Sequence, residues 1–337
     1  MLIARAPVRV SFFGGGTDLP VYYERFGGAV LSTTVDKYFY VVLSQAEGSV
    51  QVSSSDYRKF FRHSKMAPPA WDDDMRLPKA VLDHFRIYRG LSIFLASEIP
   101  PGTGLGSSGA VTVALVKALA AFSGQRLPAS EVADLACQID IDQLGQPIGK
   151  QDQYAAAFGG LNFIEFGDGV VSVTPLQLPL DVLLALERRV LLFFTDTGRQ
   201  SFSILSAQRK HLCSGREETL QALHGMKAQA YRGRRLLEAG ELDEFGCLLH
   251  QAWEAKKRVA GGVTTPDIDR FYEIALSAGA LGGKITGAGG GGFLMVYSRE
   301  GRQQEIISRL ENEGPVSMSF HFESRGAAVL VNALAAA

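Results

Sequence analysis

Glu98-Ile-Pro-Pro-Gly-Thr-Gly-Leu-Gly-Ser-Ser108-Gly-Ala110 is the stretch whose reading decides the fold. Upstream of it, Leu91–Ala96 (Leu-Ser-Ile-Phe-Leu-Ala) is apolar and compact, as a strand should be. Downstream, Ser107–Phe122 combines strong helix formers with apolar residues on nearly every face, which predicts a buried helix. A strand running through glycines into a buried helix is the layout of a phosphate-binding loop. Glycines let backbone N–H groups approach a ligand closely, and the helix that follows adds orphan donors and a positive dipole end. Pro101, Gly102, Thr103, Gly104, Leu105, Gly106, Ser107 and Ser108 are therefore the candidate nucleotide cradle, with the two hydroxyls placed for phosphate or Mg2+. The bland alternative is a tight turn with a serine cap.

Two better-known loops do not fit. Gly104-x-Gly106-x-x-Gly109 matches the dinucleotide spacing, but that motif needs an acidic residue about 20 positions on, after the next strand. Glu131 falls in a predicted helix instead. A Walker A loop needs Gly-Lys-Ser/Thr, and no such lysine is present.

Working outward, Val30–Leu43 is rich in β-branched and aromatic residues and reads as a strand. A helix is expected over Ala129–Leu144, closed by Gly145 and Pro147, and a hairpin over Gly159–Val173 turning at Gly167-Asp-Gly169. After residue 180 the texture changes to charged, helix-period sequence over 201–258, punctuated by Gly261-Gly262 and Pro266. Phe271–Ala278 reads as a helix and Phe293–Tyr297 as a strand, so two lobes are expected, 1–180 and 181–337. Between these last elements lies Gly282-Gly-Lys284-Ile-Thr-Gly-Ala-Gly-Gly-Gly-Gly292. Ordering so many glycines is entropically costly, which points to close backbone approach to a ligand.

Candidate chemistry sits beside these loops. Asp152, in Gly149-Lys-Gln-Asp-Gln-Tyr154, is a carboxylate beside a lysine and two amides, suited to accept or orient a hydroxyl proton; a helix cap is the alternative. Arg9-Val-Ser-Phe-Phe-Gly-Gly-Gly-Thr-Asp18-Leu-Pro ends a β-rich run in three glycines. Thr17 and Asp18 beyond that bend suit adjacent hydroxyls, or equally the cap of a helix starting near Leu19-Pro20. Arg9, Lys150 and Arg199 are candidates for stabilising charge on a transferring phosphoryl group. Asp140 and Asp142 fall on a polar helix end.

Composition bounds the rest. With 46% hydrophobic and 20% charged residues and a net charge of −1, the chain is an ordinary globular protein without a field for nucleic acid or anionic lipid. Three cysteines without C-x-x-C spacing fit a reducing compartment. The start, Met1-Leu-Ile-Ala-Arg-Ala-Pro, lacks the apolar core of a signal peptide, and charged residues interrupt the apolar stretches short of a membrane span. A cytoplasmic protein is expected, monomeric or homodimeric, with no nucleic-acid or membrane partner.

Three segments in order resemble the motifs of the GHMP kinases. Ala6-Pro-x-Arg9…Gly14-Gly…Thr17-Asp18 resembles the first, Pro100-x-x-x-Gly104-Leu-Gly-Ser-Ser108 the second, and Lys284-Ile-Thr-Gly-Ala-Gly-Gly-Gly-Gly292 the third. Gly14-Gly-Gly-Thr-Asp-Leu-Pro, Gln146-Pro-x-Gly-Lys-Gln-Asp-Gln-Tyr-Ala-Ala-Ala157 and Gly262-x-Thr-Thr-Pro look like the heptose 7-phosphate kinase branch. The resemblance implies an α+β, two-lobed fold with a ribosomal-protein-S5-like N-terminal lobe and a C-terminal α+β lobe. It implies a sugar 1-kinase using ATP and Mg2+, with a small sugar as the other substrate.

Matched by position, Asp152 and Arg9 become catalytic, and Ser108 and Asp140 the metal ligands. Gly15, Gly16, Thr17, Asp18, Gly287, Ala288 and Gly289 become the sugar contacts. Relatives usually carry glutamate where Asp140 stands, so the shorter side chain shifts the ion or requires a bridging water. Gly109 stands where alanine is common and Phe293 where cysteine is, and neither is expected to touch the chemistry. Galactokinases have acidic and histidine groups where this chain has Gly15 and Gly16, which argues against galactose. Other sugars, a non-catalytic sugar sensor, and a nicotinamide enzyme are the rival readings. Arg25, Arg58, Lys59 and Arg199 are candidates for holding a phosphate on the sugar.

Overall fold

The computed structural model describes residues 1–55, 58–70, 75–167, 169–195, 217–259 and 262–334. Arg199, Gly261 and the 201–216 part of the charged stretch lie outside them, as does Asp168 at the tip of the 159–173 hairpin. No described helix is long and apolar enough to cross a membrane.

The first sheet is built on β1 (Leu2–Phe13) and the 18-residue β2 (Gly28–Gln45), which pair antiparallel along almost their whole length. Short β3 (Val50–Ser54) and β4 (Lys59–His63) form the far edge, and β5 (Leu91–Ser97) joins β2 antiparallel and β3 parallel. Three helices precede the central part of the chain: α1 (Pro20–Phe26), α2 (Arg76–His84) and α3 (Ser107–Phe122). As its composition predicts, α3 is buried on almost every face, and it packs on β1 and β2. Its one cation, Lys117, donates to the Leu127 carbonyl at 3.1 Å.

The helix expected over 129–144 is α4 (Ala129–Cys137), which widens into a π-helical segment over Gln138–Gln143. That wider turn carries Asp140 inward beneath Thr112 of α3, where a regular helical period would not have placed it. α5 (Gln151–Phe158) follows, then β6 (Leu161–Phe166), which pairs with β2, and β7 (Val171–Pro175).

The second sheet has the order β11 (Val316–Met318), β8 (Val190–Phe194), β10 (Phe293–Ser298), β9 (Ala280–Ile285). Lys284, read with the glycine loop, is in fact strand: it pairs with Met295. Long helices Glu217–Glu238 and Leu242–Val259 cover the junction between the sheets.

The division at 180 needs a correction at the far end of the chain. The last described strand, β12 (Ala328–Asn332), pairs antiparallel with β1 and belongs to the first sheet. One apolar core accordingly runs from Leu2, Val41 and Leu115 through Leu237 and Phe245 to Met295 and Tyr297. A smaller core around Trp253, Ile268, Tyr272 and Leu294 supports the outer side of the second sheet.

Candidate active site

The two glycine tracts meet. Thr103 of the first accepts at its carbonyl the N–H of Phe293 at 3.1 Å and the Thr286 hydroxyl at 3.3 Å. Gly292 packs so closely that a Cβ there would lie 2.3 Å from the Thr103 oxygen. Within the first tract, Gly104 and Gly106 take positive φ values of 90° and 76°, which turns the chain while Thr103 and Leu105 stay buried. Gly106, with no side-chain cap, is the residue ahead of α3, so the serine-cap alternative fails. Ser108 is exposed and Ser107 half-buried at the head of the helix.

Arg9 ties this loop to Asp152. Its Nε and Nη2 reach Asp152 Oδ1 at 2.9 and 2.6 Å, and its Nη1 donates to the Gly104 carbonyl at 2.6 Å. Its own N–H donates to Leu105 at 2.8 Å. Arg9 is 3% exposed, while the Asp152 side chain is 24% exposed. Asp152 lies in the first turn of α5 without capping it, so the ion pair with Arg9 is its role there.

Glycine at 109 makes that closeness possible. A Cβ at Gly109 would lie 2.6 Å from Asp152 Cβ and 3.0 Å from the Gln153 nitrogen. Phe293 meets the first glycine tract only through its backbone bond to Thr103.

The bend after β1 is held from within. Thr17 is fully buried; its hydroxyl donates to the Gly14 carbonyl at 2.8 Å and accepts from Ala29 N–H at 3.1 Å. Thr17 therefore shapes the bend instead of facing a sugar. Asp18 does not cap α1; it accepts from Gly16 N–H at 2.8 Å and Gln151 N–H at 3.1 Å, joining the bend to the head of α5. Burial raises its pKa. Gly149 is required beside it, because a Cβ there would fall 1.9 Å from Asp18 Oδ2.

Asp140 is fully buried and accepts from Thr112 at 2.9 Å, Gln153 at 2.7 Å and Gln146 at 3.4 Å. Burial pushes its pKa up to about 7. Thr112 Oγ1 also lies 3.2 Å from the Ser108 carbonyl and shares its single proton between that oxygen and Asp140, so Asp140 stands one hydroxyl behind the exposed Ser108. With its oxygens taken by protein donors, it suits a water-separated contact with a cation better than a direct bond, as the shorter side chain implied.

On the other flank, Gly287 accepts from Lys256 Nζ at 2.7 Å, Ala288 is half-buried, and buried Gly289 packs against Val263. Lys284 is buried and donates to the Phe12 carbonyl at 3.0 Å; burial, then the nearby charges of Lys256 and Arg9, lower its pKa strongly. Sequence reasoning had not assigned roles to Lys256, Lys284, Gln151 or Gly149; the contacts of the last three span more than a hundred residues, and that of Lys256 spans 31.

Lys150, a candidate for the transferring phosphoryl group, lies near Tyr23, 5.2 Å from its ring centre; of the basic candidates for a sugar phosphate, Arg25 is exposed beside Phe26. Lys59 sits on β4, four strands from β1, hence roughly 19 Å away across the sheet. It and its neighbour Arg58 are removed from the Arg9–Asp152 pair.

Known proteins are similar to this chain. The GHMP kinases N terminal domain matches residues 76–160, and the GHMP kinases C terminal domain matches 234–316. The D-glycero-alpha-D-manno-heptose 7-phosphate kinase of Campylobacter jejuni is 30% identical over 329 residues, 96% of each chain. The crystal structure of a D-glycero-D-manno-heptose 1-phosphate kinase from Bacteroides thetaiotaomicron superposes with a TM-score of 0.81 at 28% identity, covering 98% of this chain and 99% of the other. A bifunctional fucokinase/GDP-fucose pyrophosphorylase of Arabidopsis thaliana is 26% identical over 90% of this chain and 30% of its own length.

Proposed function

This chain belongs to the GHMP kinases, and from that membership we propose that it transfers the terminal phosphoryl group of ATP to O1 of D-glycero-D-manno-heptose 7-phosphate. The products are ADP and the 1,7-bisphosphate, a precursor of activated heptose for capsule or lipopolysaccharide, made in the cytoplasm. The observation that carries this reading is the Arg9 bridge, which joins a partly exposed carboxylate with the glycine loop that cradles phosphates.

The chemistry follows from those contacts. The sugar lies between the Gly15–Asp18 bend, Asp152 and the 287–289 backbone. Asp152 accepts the O1 proton as O1 attacks the terminal phosphorus; the bond from that phosphorus to the bridging oxygen breaks, and ADP leaves. The backbone of Pro101–Ser108 and the dipole of α3 hold the remaining phosphates, and Arg9 offers positive charge beside the transferring group. Mg2+ would bind through Ser108 with Asp140 behind it, and would supply charge neutralisation to the phosphate oxygens. Little covalent work is asked of the protein, so positioning dominates.

ADP release measured over a panel of sugars and sugar phosphates tests this. Heptose 7-phosphate is expected to be turned over well ahead of dephosphorylated heptose, mannose and fucose. The fucokinase relative makes another sugar 1-kinase the second reading, which a preference for fucose would establish. Asp152→Asn is expected to fold and lose about 10²- to 10⁴-fold in kcat. Near-wild-type turnover by that variant overturns the assignment of the base.

A further inference from the structure

Among the described residues, eight buried side-chain polar atoms have no hydrogen-bond partner, and three of them lie at or beside the bend after β1: Ser11 Oγ, Ser32 Oγ and Gln151 Oε1. Ser11 and Ser32 face each other across β1 and β2, at the last turn of sheet before the three-glycine bend. Gln151 opens α5, next to Asp152. A buried polar group left without a partner is destabilising, and a protein keeps such groups where something else fills them.

The geometry around Gly15 says what fills them. A side chain at 15 would begin 3.3 Å from Gln151 Nε2, 3.7 Å from Ser11 Oγ and 3.8 Å from Gln151 Oε1, so three polar atoms surround the place where this chain has none. The amide's orientation is settled by Asp18: its carboxylate only accepts, and Nε2 points to it at 3.4 Å. Oε1 is then an acceptor in need of a donor. Ser11 is 3% exposed and can give or take one hydrogen bond. A group that both donates and accepts satisfies the pair, and an alcohol does this; a phosphate oxygen, which only accepts, does not, and Asp18 repels it.

We propose that Ser11 and Gln151 form a subsite for one sugar hydroxyl, entered over Gly15, in which the hydroxyl donates to Gln151 Oε1 and accepts from Ser11 Oγ. Both orphan atoms are closed to bulk water, so the hydroxyl arrives as part of a docked sugar and moves the Gln151 amide slightly. The subsite deepens the sugar-kinase reading and rests on it. It places a hydroxyl, and not the phosphate the sugar carries, on the Gly15 side of the cleft.

The test is steady-state kinetics of purified Ser11→Ala and Gly15→Ala on the sugar that the wild type turns over, together with its mono-deoxy analogues. Ser11→Ala is expected to raise the sugar KM about 10-fold, the worth of one hydrogen bond to a buried group, with the ATP KM unchanged. Gly15 does not occupy the left-handed region, and the one tight neighbour of a methyl there is the end of the Gln151 side chain at 3.3 Å, which must shift by a few tenths of an ångström, so Gly15→Ala is expected to fold and to raise the sugar KM further. One deoxy analogue should be used equally well by wild type and Ser11→Ala, which identifies the hydroxyl. If the sugar KM stays put in both variants, or every deoxy analogue preserves the difference, an ordered water fills the place and the proposal fails. Because the assay uses whichever sugar is turned over, a preference for something other than heptose 7-phosphate defeats the earlier reading without touching this one.

Discussion

Asp152 owes its position to an absence. With hydrogen in place of a methyl at 109, the first turn of α5 lies directly on α3, and a Cβ there would meet Asp152 Cβ at 2.6 Å. Gly109→Ala must therefore push the carboxylate away by up to about 1 Å, a displacement of the order that costs 10²-fold in rate. We expect kcat to fall by that order with both KM values nearly kept, and we expect no further loss when the substitution is made in Asp152→Asn. An equal loss in both backgrounds would mean that Gly109 acts on something other than Asp152. Asp140 gives a second prediction at this scale. Its folded pKa, about 7, lies above its ordinary 3.8, so the stability it contributes is complete below about pH 3.8 and is lost as pH rises to about 7. Three units correspond to about 4 kcal/mol as an upper bound. Urea midpoints of wild type and Asp140→Asn should diverge steadily across that window, and a constant gap would contradict the assignment. The motifs pointed to Asp152, Arg9 and Ser108, and the structure brings Arg9 onto Asp152. The burial of Asp140 and the contact of Gly109 were not legible in the sequence, since both arise from helices that meet only in three dimensions.

At the scale of elements, the sequence was most informative where one face or composition was decisive. Ser107–Phe122 is a helix over the range its apolar residues mark, and Leu91–Ser97 extends the expected strand by one residue. It was least informative where hydrogen-bond period changes: Gln138–Gln143 has the residues of a helix, and only its neighbours reveal the wider turn. The 282–292 glycine tract was read as one loop, yet it begins as strand, because Gly282 and Gly283 pack against neighbouring backbone that a side chain would strike at 2.3 Å. Its far end makes the useful prediction. Gly292 has φ 89° and lies against the Thr103 carbonyl, so Gly292→Ala strains its own backbone and pries the phosphate loop from β10. The expected outcome is an ATP KM raised at least 10-fold with a lower Tm. An ATP KM unchanged beside a lowered Tm would show that the contact holds the fold without shaping the nucleotide site.

The whole molecule closes on itself through its last residues, which no local pattern announced: β12 looks like any exposed strand until its pairing with β1 is seen. The path leading to it matters more for activity. Gly160 N–H donates to the Glu323 carbonyl at 2.9 Å, Glu323 N–H to Thr34 at 2.9 Å, and Ala327 N–H to Ala156 at 2.9 Å. The segment therefore lies across the end of α5, the helix whose first turn holds Asp152. Gly326 sits so close that a Cβ would fall 2.0 Å from the Ala157 carbonyl and 2.6 Å from the Phe158 backbone. Gly326→Val cannot keep that contact, and the segment must lift. Two consequences follow if the tail clamps the catalytic helix: Tm falls, because β1 loses its edge partner and exposes apolar strand, and the amides of 155–159 exchange faster. kcat should fall with them while the ATP KM, set by the loop at 101–108, stays nearly constant. Hydrogen exchange is the deciding measurement. Protection of 155–159 that survives displacement of the tail would separate the two, and leave the clamp without a role in holding Asp152.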